Sequence, residues 1–391
     1  MADRIGIFGG TFDPIHFGHI NLLKAAKEKL SLSKIIVVPN GNPPHKQNDA
    51  PKEDRLNMVN DALSDYPDFI VSDYETSSEE ESYTYKTVKH FSEEFPYDEL
   101  FFIMGMDNLE EFKFWVKPED ICKYCTLVFA GRDDIEFSES ETEHLKVTLN
   151  AKIEKIDYSY KCSSTEIREM LENGGYIFDM LSLDTLRYIL KHGLNGTQNI
   201  SEYDFYEKEL AKYVEKKRFI HSLGVAATAY LMARKFGEDA KLAYFTGLLH
   251  DIAKRMPLSE QLELCNEIKL HPDERAYPKM LHAPAGAAFI KKNYNITDEK
   301  LLSAVRYHTI GDVNMTLFDK ILYMADYIEP SRDFVGVEKL RELSFTDIDK
   351  AVVEGINTTI ISLIDEGLKI SPCMLEVRNG LLDKLKKKTE V

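Results

Sequence analysis

The stretch "GIFGGTFDPIHFGH", Gly6 to His19, sets a hydrophobic run, a glycine turn and two histidines side by side. The run "RIGIFGG" reads as a buried strand that ends in glycines, and the next helix should begin near His16 to Gly18. Gly9 and Gly10 let the backbone approach a ligand closely. A helix start offers free N–H groups to an anion, and two histidines on that edge can hydrogen-bond phosphate oxygens. Strand, glycine turn and helix also describe a dinucleotide-binding fold. However, "GGTFDP" is not G-x-G-x-x-G, and a histidine pair is no part of that fingerprint.

Outward from this stretch, residues 1–190 alternate between strand and helix. The strands are "RIGIFGG", "KIIVVPNG", "FIVSDYE", "ELFFIMGMD" and "CTLVFAGR", and the helices include "NLLKAAKEKL", "RLNMVNDAL", "YTYKTVKHFSEEF" and "STEIREMLENG". Such alternation implies an α/β, Rossmann-like domain with a parallel sheet and helices on both faces. Ligands in such sheets sit outside the carboxyl ends of the strands. The polar, glycine-bearing "HGLNGTQNIS" then breaks the pattern, and the residues after it show helical periodicity almost throughout. The expected organisation is a first domain over 1–193, a linker over 194–203, and an all-α domain over 204–391.

The bulk numbers agree with two globular domains. The chain has 391 residues, 43% of them hydrophobic and 29% charged, with a formal net charge of −17. That charge argues against a nucleic-acid or anionic-membrane binder, but a few local cations can still hold a phosphate. The N-terminus lacks the pattern of a signal peptide, no apolar run is long enough to span a membrane, and five cysteines read as reduced thiols of a cytoplasmic protein. Cys122 and Cys125 form a C-x-x-C without a second ligand pair, so they read as ordinary semi-buried thiols.

The H-x-G-H spacing after "GGTFDP" resembles the nucleotidylyltransferase superfamily, and more narrowly the bacterial nicotinate-mononucleotide adenylyltransferases. The resemblance extends over nearly all of residues 1–192 through "PPHK", "RLNM", "SYTYKT", "GMDNLEEFKFW" and "CSSTEIR". Met106 and Cys162 depart from the family pattern near the nucleotide. The resemblance implies attack by the phosphate of nicotinate mononucleotide on the α-phosphorus of ATP, with pyrophosphate leaving. Such transfers rely on positioning and charge stabilisation. It assigns Gly9, Gly10, Thr11, Phe12, His16, His19, Gly105, Asp107, Ser164, Thr165 and Arg168 to ATP, and His45, Lys46, Thr84 and Trp115 to the nicotinate nucleotide. His16, His19, Lys46 and Arg168 would carry the chemistry, and Mg²⁺ would neutralise the departing phosphates.

In the helical half, His221, His250, Asp251, His282, His308 and Asp326 each fall in a largely apolar helical setting. A buried carboxylate such as Asp326 needs a cation, and inward-facing histidines and aspartates form a nitrogen–oxygen set suited to transition metals. The order H…HD…H…H…D, with "GLLHDIAK", "RYHTIGD" and "ADYIEPSRDF", resembles the HD-superfamily metal-dependent phosphohydrolases, closest to the YqeK-type symmetrical diadenosine-tetraphosphate hydrolases. That resemblance implies two metal ions, with iron expected. His221, His250, Asp251 and Asp326 would hold one, and Asp251, His282 and His308 the other, with Asp251 bridging. Lys254 would act at the reacting phosphate, and Lys254, Arg306 and Arg332 are candidates for the polyphosphate chain, though both arginines could equally form surface ion pairs. Cleavage between the central phosphates would give two ADP. Two alternatives stay open for this half: another nucleotide phosphate ester as substrate, or a nucleotide- or partner-binding module without turnover.

Overall fold

The structure is a computed structural model that describes residues 2–44, 49–131 and 138–389. It divides into two compact units, Met1–Arg168 with Asp179–Tyr188, and Glu169–Phe178 with Ile189–Val391.

The first unit is built on a parallel sheet of β1 (Arg4–Gly10), β2 (Lys34–Pro39), β3 (Phe69–Val71), β4 (Glu99–Gly105), β5 (Thr126–Gly131) and β6 (Ile153–Asp157). The strand order is β3-β2-β1-β4-β5-β6 and every neighbouring pair is parallel. The central strands are buried on both faces, which is why they read as unbroken apolar runs. Ile35 to Val38, Leu100 to Met104 and Leu127 to Ala130 are all buried. The strand order reverses at β1, whose neighbours are β2 and β4. Pairing of β1 with β4 ends at Phe8↔Ile103, while β1 itself runs on to Gly10 and β4 to Gly105. The two strand ends part there and open the crevice expected at a switch point.

Sequence patterning identified five of the six strands and missed β6. This edge strand carries exposed Glu154 and Lys155 and buries only Ile156 fully, so it shows neither an apolar run nor a full alternation. At the opposite edge, the apolar part of "FIVSDYE" forms β3, only three residues long.

The elements of the second unit are helical throughout its described residues. Its central helix, Lys216–Phe236, is buried continuously from His221 to Ala233. Small residues permit that burial: a Cβ on Gly247 of the neighbouring helix Ala240–Leu249 would lie 2.7 Å from the Cα of Ala226. Asp239 and Asp298 accept from the backbone N–H of Leu242 and Leu301, and Thr316 and Asp319 form a capping box. These caps fix where the helices carrying His250, His308 and Asp326 begin. The polar stretch after His192 is tied down within the same unit. Ile200 is buried, its N–H donates to the Leu190 carbonyl, and the Gln198 N–H donates to Tyr230 Oη. No helix among the described residues is long and apolar enough to cross a membrane.

Candidate functional site

At the end of β1 the chain turns through Phe12, which holds a left-handed φ of 52°. Phe12 is buried and meets His19 edge-on with ring centroids 5.0 Å apart. His16 caps the helix Phe17–Leu30. Its backbone N–H donates to His19 Nδ1 at 3.3 Å, and the two imidazoles stack with centroids 3.7 Å apart. A Cβ on Gly18 would lie 2.8 Å from His16 Nδ1, so glycine is what lets that ring lie against the helix start. No acidic residue occupies the first turn, so the positive end of the helix stays available to an anion.

These residues line a cleft of about 1380 Å³. Its wall also holds Gly9, Gly10, Thr11, Thr84, Gly105, Asp107, Trp115, Ser164, Thr165 and Arg168, together with Met106 and Cys162. Every candidate residue of the first unit that the structure describes is therefore in one cavity. His45 and Lys46 lie outside the described residues. A second helix start, Ser164–Asn173, faces the cavity. Ser164 Oγ donates to the Pro14 carbonyl at 3.0 Å, and Arg168 Nη1 donates to the Asp13 carbonyl at 2.7 Å. Arg168 Nε also lies 2.8 Å from Asp49 Oδ2. Trp115 packs against Phe102 and Phe112, which sets its ring plane from behind.

Two buried residues, one behind the cleft and one in its wall, were not singled out from sequence. Arg55 is 1% exposed and donates to the carbonyls of Thr11 (2.7 Å), Gly41 (3.0 Å) and Ala50 (3.3 Å). It pins three loop segments with one cation. The available signal is an arginine on the same helical face as the buried Met58 and Val59. Glu75 is buried in the cleft wall and accepts from Thr87 Oγ1 at 2.5 Å. Burial raises its carboxyl above the usual range, against the pull of Thr87, Ser82 and Arg55. Cys122 and Cys125 are buried, and burial pushes the Cys122 thiol up to about 11.

In the second unit the predicted histidines and aspartates converge. His221, His250, Asp251, His282 and His308 are each 6% exposed or less, and Asp326 is partly buried. Asp251 lies at the centre with its two oxygens turned apart. Oδ2 is 3.6 Å from His250 Nε2 and 4.0 Å from His221 Nε2, whereas Oδ1 is 3.2 Å from His282 Nε2 and 3.5 Å from His308 Nε2. Asp326 Oδ1 stands on the first side, 3.1 Å from His221 Nε2 and 3.9 Å from His250 Nε2. Ligand atoms of His221, His250 and Asp326, and those of His250, Asp251 and His308, each gather within 4.8 Å. His250 thus stands between the two groups rather than wholly in the first.

The ring nitrogens are already sorted. Nδ1 of His250, His282 and His308 each lies 2.7 Å from the carbonyl three residues earlier, those of Gly247, Lys279 and Val305. His221 Nδ1 is 3.0 Å from Glu329 Oε1. With Nδ1–H donating in every case, Nε2 is the nitrogen that faces inward, as in a metal ligand; burial opposes protonation of His221, but Asp326 and Glu329 outweigh it and raise that imidazole above its usual value. Burial pushes His250 down to about 3 and lowers His282, so both rings stay neutral. Burial opposes ionisation of Asp251, but the surrounding histidines and Lys254 outweigh it and hold the carboxyl well below its usual value. Buried His250 Nε2 and Asp251 Oδ1 have no hydrogen-bond partner. Inward, partnerless nitrogen and oxygen donors fit divalent metal ions.

Cations ring the cluster. Lys254 Nζ is 2.9 Å from His282 Nε2, and Arg332 Nη2 donates to Asp326 Oδ1 at 2.7 Å. Arg306 is placed differently: it pairs with the carboxylate of Glu274 and donates to the Lys269 carbonyl. That ion pair is buried on the glutamate side rather than at the surface. Arg218, not noted from sequence, donates to Asp251 Oδ2 at 2.8 Å from one turn ahead of His221. Glu329 was likewise missed, though it stands three residues after Asp326.

Comparison with known proteins divides the chain in the same way. The family profile described as cytidylyltransferase-like matches residues 7–170, and the HD domain profile matches residues 218–331. A Mycoplasma pneumoniae protein called probable nicotinate-nucleotide adenylyltransferase/Ap4A hydrolase is 30% identical over 327 residues, 83% of this chain and 88% of the relative. The symmetrical bis(5′-nucleosyl)-tetraphosphatase of Bacillus subtilis is 38% identical across 42% of this chain and 89% of its own length. A probable nicotinate-nucleotide adenylyltransferase of Clostridium tetani is 39% identical across 48% of this chain and 96% of its own. Less than half of this chain thus aligns with each of two relatives named for one activity, and most of it with a relative named for both, so it belongs to the family of the mycoplasmal nicotinate-nucleotide adenylyltransferase/Ap4A hydrolases.

Proposed function

We propose that this chain is a bifunctional cytoplasmic enzyme that adenylylates nicotinate mononucleotide and hydrolyses diadenosine tetraphosphate to two ADP. Residues 1–193 serve as the nucleotidylyltransferase domain, 194–203 as the linker and 204–391 as the HD phosphohydrolase domain.

In the first reaction a phosphate oxygen of nicotinate mononucleotide bonds to the α-phosphorus of ATP. The bond from that phosphorus to the β-bridging oxygen breaks, giving deamido-NAD and pyrophosphate. His16, His19 and the positive N-terminal end of the helix Phe17–Leu30 bind the triphosphate, and Ser164, Thr165 and Arg168 bind the departing pyrophosphate. Lys46 adds charge at the phosphates and His45 contacts the nicotinate nucleotide. Asp107, with Gly105, addresses the adenosine, while Thr84 and Trp115 hold the nicotinate ring. Mg²⁺ enters with ATP.

In the second reaction a water oxygen bonds to one of the two central phosphorus atoms, and the bridge between the central phosphates breaks. Divalent ions in a nitrogen–oxygen set lower the pKa of water and neutralise the phosphates at both ends of the displacement. His221, His250, Asp251 and Asp326 would hold one ion, and Asp251, His282 and His308 the other. Iron is the expected metal, and manganese or cobalt also suits the donors. Lys254, Arg332 and Arg218 stand where they can hold the polyphosphate and screen its charge.

The observation that carries the hydrolase reading is the division of the Asp251 carboxylate between two groups of inward imidazole nitrogens. The test is direct. The chain, purified without chelator, should carry two metal ions and give ADP as the sole product from diadenosine tetraphosphate. ATP plus AMP would mean asymmetric attack, and bound metal without turnover would point to another phosphate ester.

A further inference from the structure

We propose that Glu329 is a positioning residue for His221 and makes the two halves of the metal centre unequal. This inference rests on the proposed metal-binding role of the cluster. Three of the four histidines are oriented by their own backbone, through carbonyls three residues earlier. Only His221 is backed by a carboxylate, and one that is 108 positions away in sequence.

The carboxylate is built in from both sides. Glu329 is 1% exposed. The Ser331 N–H donates to Oε2 at 2.8 Å, and the Ser331 hydroxyl donates to Oε1. Arg332 Nε stands 3.6 Å from Oε1. From the opposite side, the central helix has Gly224 one turn after His221, where a Cβ would lie 2.7 Å from Glu329 Oε2. The helix therefore has no side chain where Glu329 must lie. A buried, fully hydrogen-bonded carboxylate behind an imidazole fixes the Nδ1–H tautomer, holds the ring plane and strengthens Nε2 as a donor. A neutral carbonyl does the first two but adds less donor strength. The ion held by His221, His250 and Asp326 should depend on Glu329, and the ion on the His282–His308 side should not.

The test is a Mn²⁺ titration of the full-length, chelator-stripped chain, with the helical circular-dichroism signal and the unfolding temperature of the metal-free chain as the controls for folding. Wild type should bind two ions. Glu329→Gln should weaken one binding step about 10–100-fold, the range for removing such a partner, and leave the other within twofold. Ser331→Ala, which loosens the carboxylate without removing it, should weaken the same step by less. In a His221→Ala background, Glu329→Gln should cause no further loss. Equal weakening of both steps, no weakening of either, or a full additional loss on top of His221→Ala would each overturn the assignment. A purely structural tie would instead lower the unfolding temperature of the metal-free chain, which should not change in Glu329→Gln. A wild-type chain that binds no Mn²⁺ would overturn the metal-centre reading itself, a result distinct from two bound ions that ignore Glu329.

Discussion

His16 and His19 stack 3.7 Å apart above a helix start, whereas His250 is wholly buried and pushed down to about 3. The same side chain is set to address an anion in one unit and to stay neutral as a donor in the other. His19→Ala should lower adenylyl transfer by about 10²–10³-fold, the usual effect of removing one charge-stabilising donor, with hydrolysis unchanged. Loss of both activities in a folded variant would sink the two-site reading. Asp251→Asn keeps the side chain's shape but removes the charge that the two proposed ions would share. It should strip metal from the chain and abolish hydrolysis while transfer survives, and retention of two ions would refute the bridging role. Glu75 carries a pH dependence of its own. A carboxyl whose folded pKa is raised favours the folded state while protonated. That contribution is complete below the ordinary Glu value of about 4.3 and is lost as pH rises through the raised folded value. Denaturation midpoints of wild type should therefore fall relative to Glu75→Gln over this rise in pH, and parallel midpoint curves would rule the effect out.

At the scale of elements, Arg55 shows how one helix holds a loop cluster in place. Its guanidinium serves the carbonyls of Thr11, Gly41 and Ala50 from a helix to which no ligand contact is assigned. Arg55→Ala leaves these acceptors unpaired and should destabilise the first unit by about 2–4 kcal/mol. It should also raise KM for ATP, because Thr11 belongs to the cleft wall. An unchanged midpoint in denaturant would show that water replaces the guanidinium without cost. Arg55 also marks the limit of what sequence reveals. The strand, turn and helix at Gly6 to His19 were legible because doubly buried strands form apolar runs and because Gly10 and Gly18 stand where a Cβ would meet the Phe12 and His16 rings at 2.8 Å. The four clustered histidines and both aspartates were legible because charged and polar types stood out in apolar helical stretches. Arg55, Arg218 and Glu329 were not, since each takes its meaning from a partner far along the chain. Glu329 meets His221 across 108 positions and Arg218 meets Asp251 across 33. Periodicity reports which face is buried, and it does not report which acceptor a buried cation will find. The β6 strand escaped for the opposite reason: it buries too little to leave a pattern.

Across the whole molecule the chain passes between units at 168–169, 178–179 and 188–189, so neither unit is a single uninterrupted segment. Each nonetheless keeps its own core and its own ligand chemistry, which makes the independence of the two activities a thermodynamic question. A ligand that binds only the folded state adds about 2.7 kcal/mol at one hundred times its Kd. For a unit of this size about 1 kcal/mol moves the unfolding temperature by about 2–4 °C, so the shift should be about 5–11 °C. Mn²⁺ added to the stripped chain should therefore raise one thermal transition by that amount and leave the other in place. A non-hydrolysable ATP analogue with Mg²⁺ should do the reverse for the first unit, and Asp251→Asn should remove only the Mn²⁺ response. Two transitions that move separately would mean two folding units sharing one chain. A single transition that rises with either ligand would mean that the interleaved segments 169–178 and 179–188 tie the units into one cooperative block, and that each active site is stabilised by the substrates of the other.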